Sequence, residues 1–462
     1  MRVIGILFIL LSMPVAIMWL RAFPKQRKWA YFGVGALPFA IAALNLDAAL
    51  VSWPAWTGYA KGLILTALDT LAIALIVVSR QPLRRLPFLA LFLCYFLAAV
   101  VSMAVSALPM SSSFYAFQLA RIALVFVAVA SFAGNRNALR WLAFGLATGA
   151  IFQAAITIDQ RFSGVVQASG TMGHQNLLGL MLHFVTLPLI ALLLGGERSK
   201  LVMAGVLAAL VAVALGASRG AVAFVAIGAA ALILLSLARR ATSQKWKMVG
   251  LAAVALAIVA PIIVTSFDER FEKKPIYEGT DSERLAFERA ARAMWSDHPM
   301  GVGANQYVVV ANSGGYSERA GVIWNYASRS AKVHNMYLLA AAETGWPGLI
   351  TLIFLFLWPL LRGLAFAFGN RSDPRGEIVL GAAVAIFATA LHGFYEWVFF
   401  TSYAQYVFAI SAGIIAGSIR QARIEKEIRR RVRRAAGEVP TPVTARAKPR
   451  RALVRPGNSA TR

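Results

Sequence analysis

The sequence predicts an all-α integral membrane protein, on three observations. Hydrophobic residues make up 59% of the 462-residue chain and charged residues only 14%, against about 25% charged residues in an average soluble domain. Apolar runs of about 18 residues or more recur from end to end, the length that a transmembrane helix needs. The runs are continuously apolar rather than alternating, which indicates helices and not the strands of a membrane barrel.

Thirteen apolar runs are candidate spans. They cover residues 3–20, 29–46, 61–79, 88–106, 114–133, 141–158, 177–194, 201–216, 221–237, 248–267, 345–361, 378–396 and 402–419. Basic loops alternate with less basic ones, and basic loops are expected in the cytoplasm. Counted this way, the N-terminus lies outside the cytoplasm. The first run is expected to be retained, because RAFPKQRK follows it in place of a small-residue cleavage site.

The net charge of +26 raises the question of nucleic acid, but its distribution favours a membrane. Residues 420–462 hold 14 Lys and Arg against 3 Glu, and most of the remaining excess lies in short loops. This is the positive-inside pattern, and the tail is expected to face the anionic inner leaflet rather than nucleic acid. Residues 420–434 are expected to form an amphipathic helix, and the chain after Ala435 to be disordered. The single cysteine, Cys94, excludes a disulfide within the chain.

Four segments follow from this pattern: transmembrane helices in 1–267, a large loop in 268–335, transmembrane helices in 336–420, and a basic tail in 421–462. The loop is too long for a plain connection. Thr280 and Glu283 form a capping box that opens a helix, and Pro299 and Gly301 end it. We therefore expect the loop to be a small helical lid over the bundle.

The stretch KVHNMYLLAAAETGWPG, residues 332–348, lies where this loop meets the next apolar run. Its pattern is H-N-x9-G-x-x-G, with His334 followed by Asn335. Histidine has the unperturbed pKa nearest neutral pH, so His334 is a candidate general base. The alternative is an interfacial histidine that caps a helix or faces water.

This stretch resembles the signature of the O-antigen ligase/polymerase (WaaL/Wzy) superfamily, which also includes protein O-oligosaccharyltransferases. Three other stretches occur in the family's order: GTMGHQNLLGLML at 170–182, ASRGA at 217–221, and SERLAFERAARAMWSDHPMGVGANQY at 282–307. The resemblance implies a bundle of about 12 transmembrane helices with both ends cytoplasmic. It also implies metal-independent glycan transfer from a polyprenyl pyrophosphate, with no cofactor.

Such a reaction needs positive charge at the departing phosphate, and arginine binds phosphate oxygens with two hydrogen bonds. Arg219 lies in a Ser-Arg-Gly turn. The alternative to phosphate binding is that Arg219 is a boundary arginine whose side chain only extends to the membrane surface. Arg284 matches the family's loop arginine, with Arg289 in reserve. Predicted pyrophosphate ligands are Arg219, Arg284, Arg289 and Arg121, and predicted supporting residues are Asn335, Tyr337, Asn176 and Asp69. His174 and His298 are weaker candidates, and His183 and His392 are expected to be packed and hydrogen-bonded.

Asp69 and Arg121 lie inside apolar runs, where an unpaired charge costs at least about 2.5 kcal/mol. With helices entering at about Lys61 and Phe114, the helical rise puts them at roughly 12 and 10 Å depth. We expect either a direct ion pair or a shared polar cavity in which Arg121 faces the lipid pyrophosphate. The alternative is that each faces backbone carbonyls or water.

The function that this resemblance implies is that of an O-antigen ligase in the bacterial inner membrane. It would transfer glycan from undecaprenyl pyrophosphate to the lipid A-core of lipopolysaccharide at the periplasmic face. A polymerase or a protein O-oligosaccharyltransferase remains open. A secondary transporter is a different class, which predicts internal repeats and ionisable groups at mid-membrane; no repeat is visible in the sequence.

Overall fold

The computed structural model describes residues 2–79, 86–273 and 279–435. The α-helices in these ranges are α1 Arg2–Ala22, α2 Arg27–Ala40, α3 Ala67–Ser79, α4 Leu89–Ser102, α5 Pro109–Phe132, α6 Arg136–Phe162, α7 Gln175–Leu194, α8 Lys200–Leu215, α9 Arg219–Arg239, α10 Ser243–Lys273, α11 Gly279–Asp297, α12 Tyr307–Ser313, α13 Tyr316–Arg319, α14 Tyr326–Ser330, α15 Met336–Gly369, α16 Gly376–His392 and α17 Ser402–Ala435. Strands β1 Asp47–Ser52 and β2 Gly62–Thr66 pair antiparallel, and 3-10 turns cover Pro24–Gln26, Met103–Val105 and Val398–Phe400. The predicted disorder after Ala435 and the Thr280 side chain of the capping box lie outside the described residues.

The described helices confirm an all-α integral membrane protein. Eight of them are long and apolar enough to cross a membrane, and four shorter apolar helices accompany them: Ala67–Ser79, Leu89–Val105, Lys200–Leu215 and Gly376–His392. The chain divides into two compact units, residues 1–420 and 421–462. In the second unit, the described end of α17 exposes Ile424, Ile428 and Val432 at helical spacing among arginines.

Close helix approach at small residues builds the core of the first unit. A side chain at Gly35 or Gly145 would collide with the backbone of the opposing helix, α6 or α2. Membrane helices pack through small residues for this reason, since lipid supplies no hydrophobic force to press them together.

The predicted span at 61–79 is wrong in its first part. Residues Gly62–Thr66 form β2, and the helix α3 begins only at Ala67. A short apolar run does not distinguish a strand from a helix, and here the partner strand at Asp47–Ser52 decides the conformation. The depth calculated for Asp69 from a helix entering at Lys61 therefore does not hold.

The boundary predicted at residue 268 also shifts. Helix α10 continues to Lys273, so Arg270 lies on a helix and not in the loop. We call α11–α14 with their connections, residues 279–335, the lid; it is helical, as expected.

The lid docks on a break in α15. Gly345 has φ +61° and ψ −160°, a conformation that is essentially restricted to glycine. The Val302 and Gly303 amides donate to the Ala342 and Glu343 carbonyls at 3.0 and 2.9 Å, and the Trp346 amide donates to Pro299. Gly345 of the H-N-x9-G-x-x-G pattern and Gly301 of the Gly-x-Gly turn thus serve one close contact between two backbones, whereas a side chain at Gly348 would meet Thr344 of the same helix.

The Glu343 carboxylate strengthens this junction. It accepts the amides of Asn305 and Tyr307 at 2.9 Å each and the Tyr59 hydroxyl of the β1–β2 loop. Lid, hairpin and α15 are thereby joined through one buried acid.

The predicted ion pair between Asp69 and Arg121 is confirmed. Arg121 Nε lies 2.7 Å from Asp69 Oδ2, and both side chains are buried. Tyr406 of α17 donates to the other Asp69 oxygen at 2.8 Å, and Thr66 donates its amide and hydroxyl. The pair ties α3 to α5 and α17, in agreement with the first of the two interpretations.

Candidate active site

A buried carboxylate, Glu396, is the centre of the candidate site. It lies between α16 and α17, with 4% of its surface exposed. The predicted span 378–396 ends at this residue, which is not among the predicted site residues. A signal was present, because Glu396 is the sole acid between Glu377 and Glu425, and a buried carboxylate needs a partner.

His334 is one of its partners. His334 Nδ1 lies 3.3 Å from Glu396 Oε2. Asn335 caps α15 by accepting the Tyr337 and Leu338 amides, both at 3.0 Å, and so fixes the backbone just after the histidine. If Nδ1 carries the proton and donates to Glu396, Nε2 is free to accept one. A histidine oriented by a carboxylate in this way is a common general base.

Two further groups reach Glu396 from other elements. Asn176, in the first turn of α7, donates its amide to Oε1, and Arg284 of the lid lies 3.9 Å from the same oxygen. The predicted supporting residue Asn176 and the predicted ligand Arg284 are therefore brought together with His334. The side chain of Arg284 is 42% exposed, so its guanidinium also faces outward.

These contacts determine the charge of Glu396. Burial raises the pKa of the carboxyl, but the hydrogen bond with His334 and the charges of His334, His392 and Arg284 outweigh it. The net pKa of Glu396 is below its ordinary value, so the group is ionised at neutral pH.

His174 borders the same cluster. Its Nδ1 accepts the Asn176 amide at 3.2 Å and caps α7. Burial lowers the pKa of His174; the Glu396 charge opposes this shift and the His334 charge adds to it. His174 is therefore neutral at pH 7 and holds the turn that presents Asn176.

Three arginines, Arg219, Arg270 and Arg284, form a cluster, and one of them, Arg284, contacts the carboxylate. Arg219 is the first residue of α9, whose cap is the Ser218 hydroxyl. Arg219 and Arg284 both interact by charge repulsion with Arg270, which donates to the Ala217 carbonyl. Arg219 and Arg284 thus share Arg270 as a charged neighbour, and their convergence on one pyrophosphate stays a prediction. Arg270 was missed because the span was predicted to end before it.

A pair of buried histidines packs against the turn that carries Arg219. His183 Nε2 and His392 Nδ1 are 3.0 Å apart, and both rings are fully buried. A side chain on Gly220 would lie 2.9 Å from His392 Nε2, so the turn that carries Arg219 packs on this ring. The expectation that both histidines are packed and hydrogen-bonded is confirmed.

Other predicted residues lie elsewhere. Arg289 donates to the Ala320 carbonyl at 2.8 Å, a contact within the lid. Tyr337 does not point along the face of His334; its hydroxyl donates to Ala390 of α16 at 2.8 Å. Helix α15 begins at Met336, after the histidine, so the predicted supporting residue Tyr337 does not share a helical face with His334. Arg121 is held by Asp69, as described above.

The arrangement combines an oriented base with concentrated positive charge. Among the described residues, no group of three His, Cys, Asp or Glu side chains could hold a metal ion. Helices α7 and α9 both begin at the cluster, and helix N-termini favour anions. The site can therefore deprotonate a hydroxyl and bind an anionic leaving group.

Residues 204–353 match the family model described as O-antigen ligase (Wzy_C). This range contains Arg219, Arg270, Arg284 and His334. No curated protein matches the chain. The match confirms the resemblance to the O-antigen ligase/polymerase superfamily, whose members are glycosyl-transferring enzymes.

Proposed function

We propose that this membrane protein, with its O-antigen ligase family domain, is an O-antigen ligase. It transfers glycan from undecaprenyl pyrophosphate to the lipid A-core of lipopolysaccharide at the periplasmic face of the inner membrane. The observation that carries the proposal is the His334–Glu396 pair next to the cluster of Arg219, Arg270 and Arg284.

In the proposed reaction, His334 Nε2 takes the proton of an acceptor hydroxyl. The hydroxyl oxygen bonds to the anomeric carbon of the donor glycan as the bond from that carbon to the phosphate oxygen breaks. The electron pair leaves with the pyrophosphate, whose added charge the arginines stabilise. Glu396 holds the His334 ring and stabilises its protonated form.

The acid–base part is tested by His334→Ala in purified protein with a lipid-linked glycan donor. Loss of a general base lowers turnover by about 100-fold or more. His298→Ala removes a lid histidine outside the cluster and serves as the matched control. Wild-type turnover in a folded His334→Ala protein would exclude His334 as the base.

The choice of acceptor tests the ligase assignment. Lipid A-core and a second lipid-linked glycan are offered separately, with a serine-containing peptide as a third acceptor. A ligase consumes the first, a polymerase the second, and a protein O-oligosaccharyltransferase the third. Uptake of a glycan into vesicles without a covalent product would instead indicate a transporter.

The orientation is tested independently by labelling. In a Cys94→Ser background, a cysteine at the exposed lid residue Trp324 should react with a membrane-impermeant maleimide added to the periplasmic side. Protection from that reagent, with reaction only after lysis, would place the lid in the cytoplasm.

A further inference from the structure

Lys332 connects three segments around the candidate base. It precedes His334 by two residues, and its Nζ donates to the Thr57 carbonyl of the β1–β2 loop at 2.8 Å. The same Nζ lies 4.7 Å from the centre of the Trp397 ring. Trp397 follows Glu396 directly, so Lys332 contacts the chain next to both members of the His334–Glu396 pair.

Both contacts favour the ammonium form of the side chain. A cation over an indole ring is attracted by the ring's negative face, and an uncharged amine loses this attraction. A charged donor also makes the stronger hydrogen bond to a carbonyl. The contacts at Lys332 thus weaken when it loses its proton.

The charged groups that face Lys332 set the pH range in which it loses its proton. Burial lowers the pKa of Lys332, Glu343 of α15 raises it, and Lys61 before β2 lowers it, for a net value of about 8. The Glu343 carboxylate also holds the amides of Asn305 and Tyr307. Lys332 therefore changes charge in a mildly alkaline range rather than near the ordinary value of 10.5.

We propose that Lys332 is a positioning residue that, as an ammonium, ties the β1–β2 loop to the Glu396–Trp397 turn and so holds His334 against Glu396. The effect of Lys332 on glycan transfer rests on the proposed function, whereas its effect on the accessibility of the lid does not. The lysine touches no reacting atom in this scheme; it fixes the two chain segments that carry the base and its carboxylate.

The linkage of charge to stability separates this role from a purely structural one. The folded pKa lies below the unfolded value, so the unfolded chain binds the proton more tightly between about pH 8 and 10.5. Stability therefore rises with pH across that window, and the charged lysine costs stability at neutral pH. Removal of the charge should impair positioning without lowering the melting temperature.

The structural arm follows cleavage of the lid by chymotrypsin at the exposed residues Trp324 and Tyr326, with rates normalised to a peptide substrate. Lys332→Met should accelerate this cleavage about five-fold or more at pH 7, while the melting temperature stays within about 2 °C of the wild type. Lys332→Arg keeps a charged donor at this position and should be cleaved within about two-fold of the wild-type rate at pH 7. Equal cleavage of wild type and Lys332→Met, or cleavage of Lys332→Arg as fast as that of Lys332→Met, would overturn the proposal.

The catalytic arm uses glycan transfer. Lys332→Met should lower kcat about 10-fold with the donor KM within two-fold, because small displacements of a base reduce turnover steeply. Lys332→Arg should restore at least half of the wild-type kcat and extend activity above pH 8. Lys61→Met, at an exposed lysine nearby, should leave kcat at pH 7 unchanged. A kcat for Lys332→Met within two-fold of the wild type would overturn the role.

The chymotrypsin measurement and the glycan-transfer measurement can fail independently of each other. Without glycan transfer by the wild type, the proposed function fails, yet the chymotrypsin measurement still decides whether Lys332 ties these segments together. If Lys332→Met does not fold, Lys332→Gln, which removes the charge but keeps a polar side chain, is compared with Lys332→Arg instead, and equal cleavage of these two variants would overturn the role.

Discussion

Replacing Glu396 by Gln tests the candidate site most directly, because the two side chains have nearly the same shape. Glu396 accepts from Asn176 and faces His334 Nδ1 at 3.3 Å and Arg284 at 3.9 Å. Glutamine keeps the volume but removes the charge and presents an amide group that donates. The substitution therefore changes the electrostatics and the preferred histidine tautomer while leaving the packing in place.

The expected loss is large for a residue that does not touch substrate. When a carboxylate orients a catalytic histidine, its amide replacement lowers kcat by up to about 10⁴-fold, chiefly through the wrong tautomer. The 3.3 Å separation and the partial exposure of His334, at 26% of its side chain, weaken the interaction relative to a fully buried pair. We expect a fall in kcat of about 10²- to 10³-fold, or about 3–4 kcal/mol in transition-state stabilisation.

The assay is steady-state glycan transfer by purified protein as a function of pH. Glu396→Asp keeps the charge and should recover a measurable part of kcat. Glu288→Gln, on the same lid helix as Arg284, is the matched control and should remain within two-fold of the wild type. A Glu396→Gln protein with wild-type kcat would refute the idea that the carboxylate orients His334.

The pH dependence of stability gives a second readout. Because the folded pKa of Glu396 is lower than its ordinary value of 4.5, the carboxylate contributes stability above about pH 4.5. That contribution is lost as the pH falls through the folded value. Glu396→Gln should remove this part of the acid-side loss.

The remaining predictions concern buried contacts that hold the fold together. Asp69→Asn leaves the buried Arg121 without its counter-charge and should cost about 3–5 kcal/mol in stability, measured by thermal unfolding; the double variant with Arg121→Gln should recover part of it. Glu377→Gln should destabilise similarly, since Glu377 accepts from Arg239 and Lys245 at 2.7 Å each; an unchanged melting temperature would contradict this. Gly345→Ala forces a side chain into a backbone region that only glycine occupies, and should lower stability by about 1–3 kcal/mol.

The fold could be predicted from the sequence because membrane helices follow from composition and run length. The sequence motifs placed His334 at the start of an apolar helix and indicated Arg219 and Arg284 as ligands, and His334 and Arg284 both contact Glu396. The prediction was wrong at residues 62–66, where an apolar run forms a strand, since the pairing partner lies outside the run itself.

Glu396 and Arg270 were missed for a different reason. Each lies at the end of an apolar run, where a charged residue is expected to face water or lipid headgroups. Glu396 meets His334 only in the folded protein, because the two residues are 62 positions apart in the sequence. A rule that any acid between two apolar runs needs a named partner would have selected Glu396, but it would not have selected the partner.

The exposure of the side chains that contact each buried carboxylate distinguishes the candidate site from the structural ion pairs. Asp69 and Glu377 are buried carboxylates, and their partners Arg121, Arg239 and Lys245 have side chains that are only 4–6% exposed. Glu396 is as deeply buried, yet His334 and Arg284 are 26% and 42% exposed. A charge sealed with its partner can hold helices together but cannot meet a substrate. A buried carboxylate whose partners reach the surface can instead act on an incoming ligand through them. We therefore propose His334 as the catalytic base and Glu396 as the carboxylate that positions it, and we assign a structural role to Asp69 and Glu377.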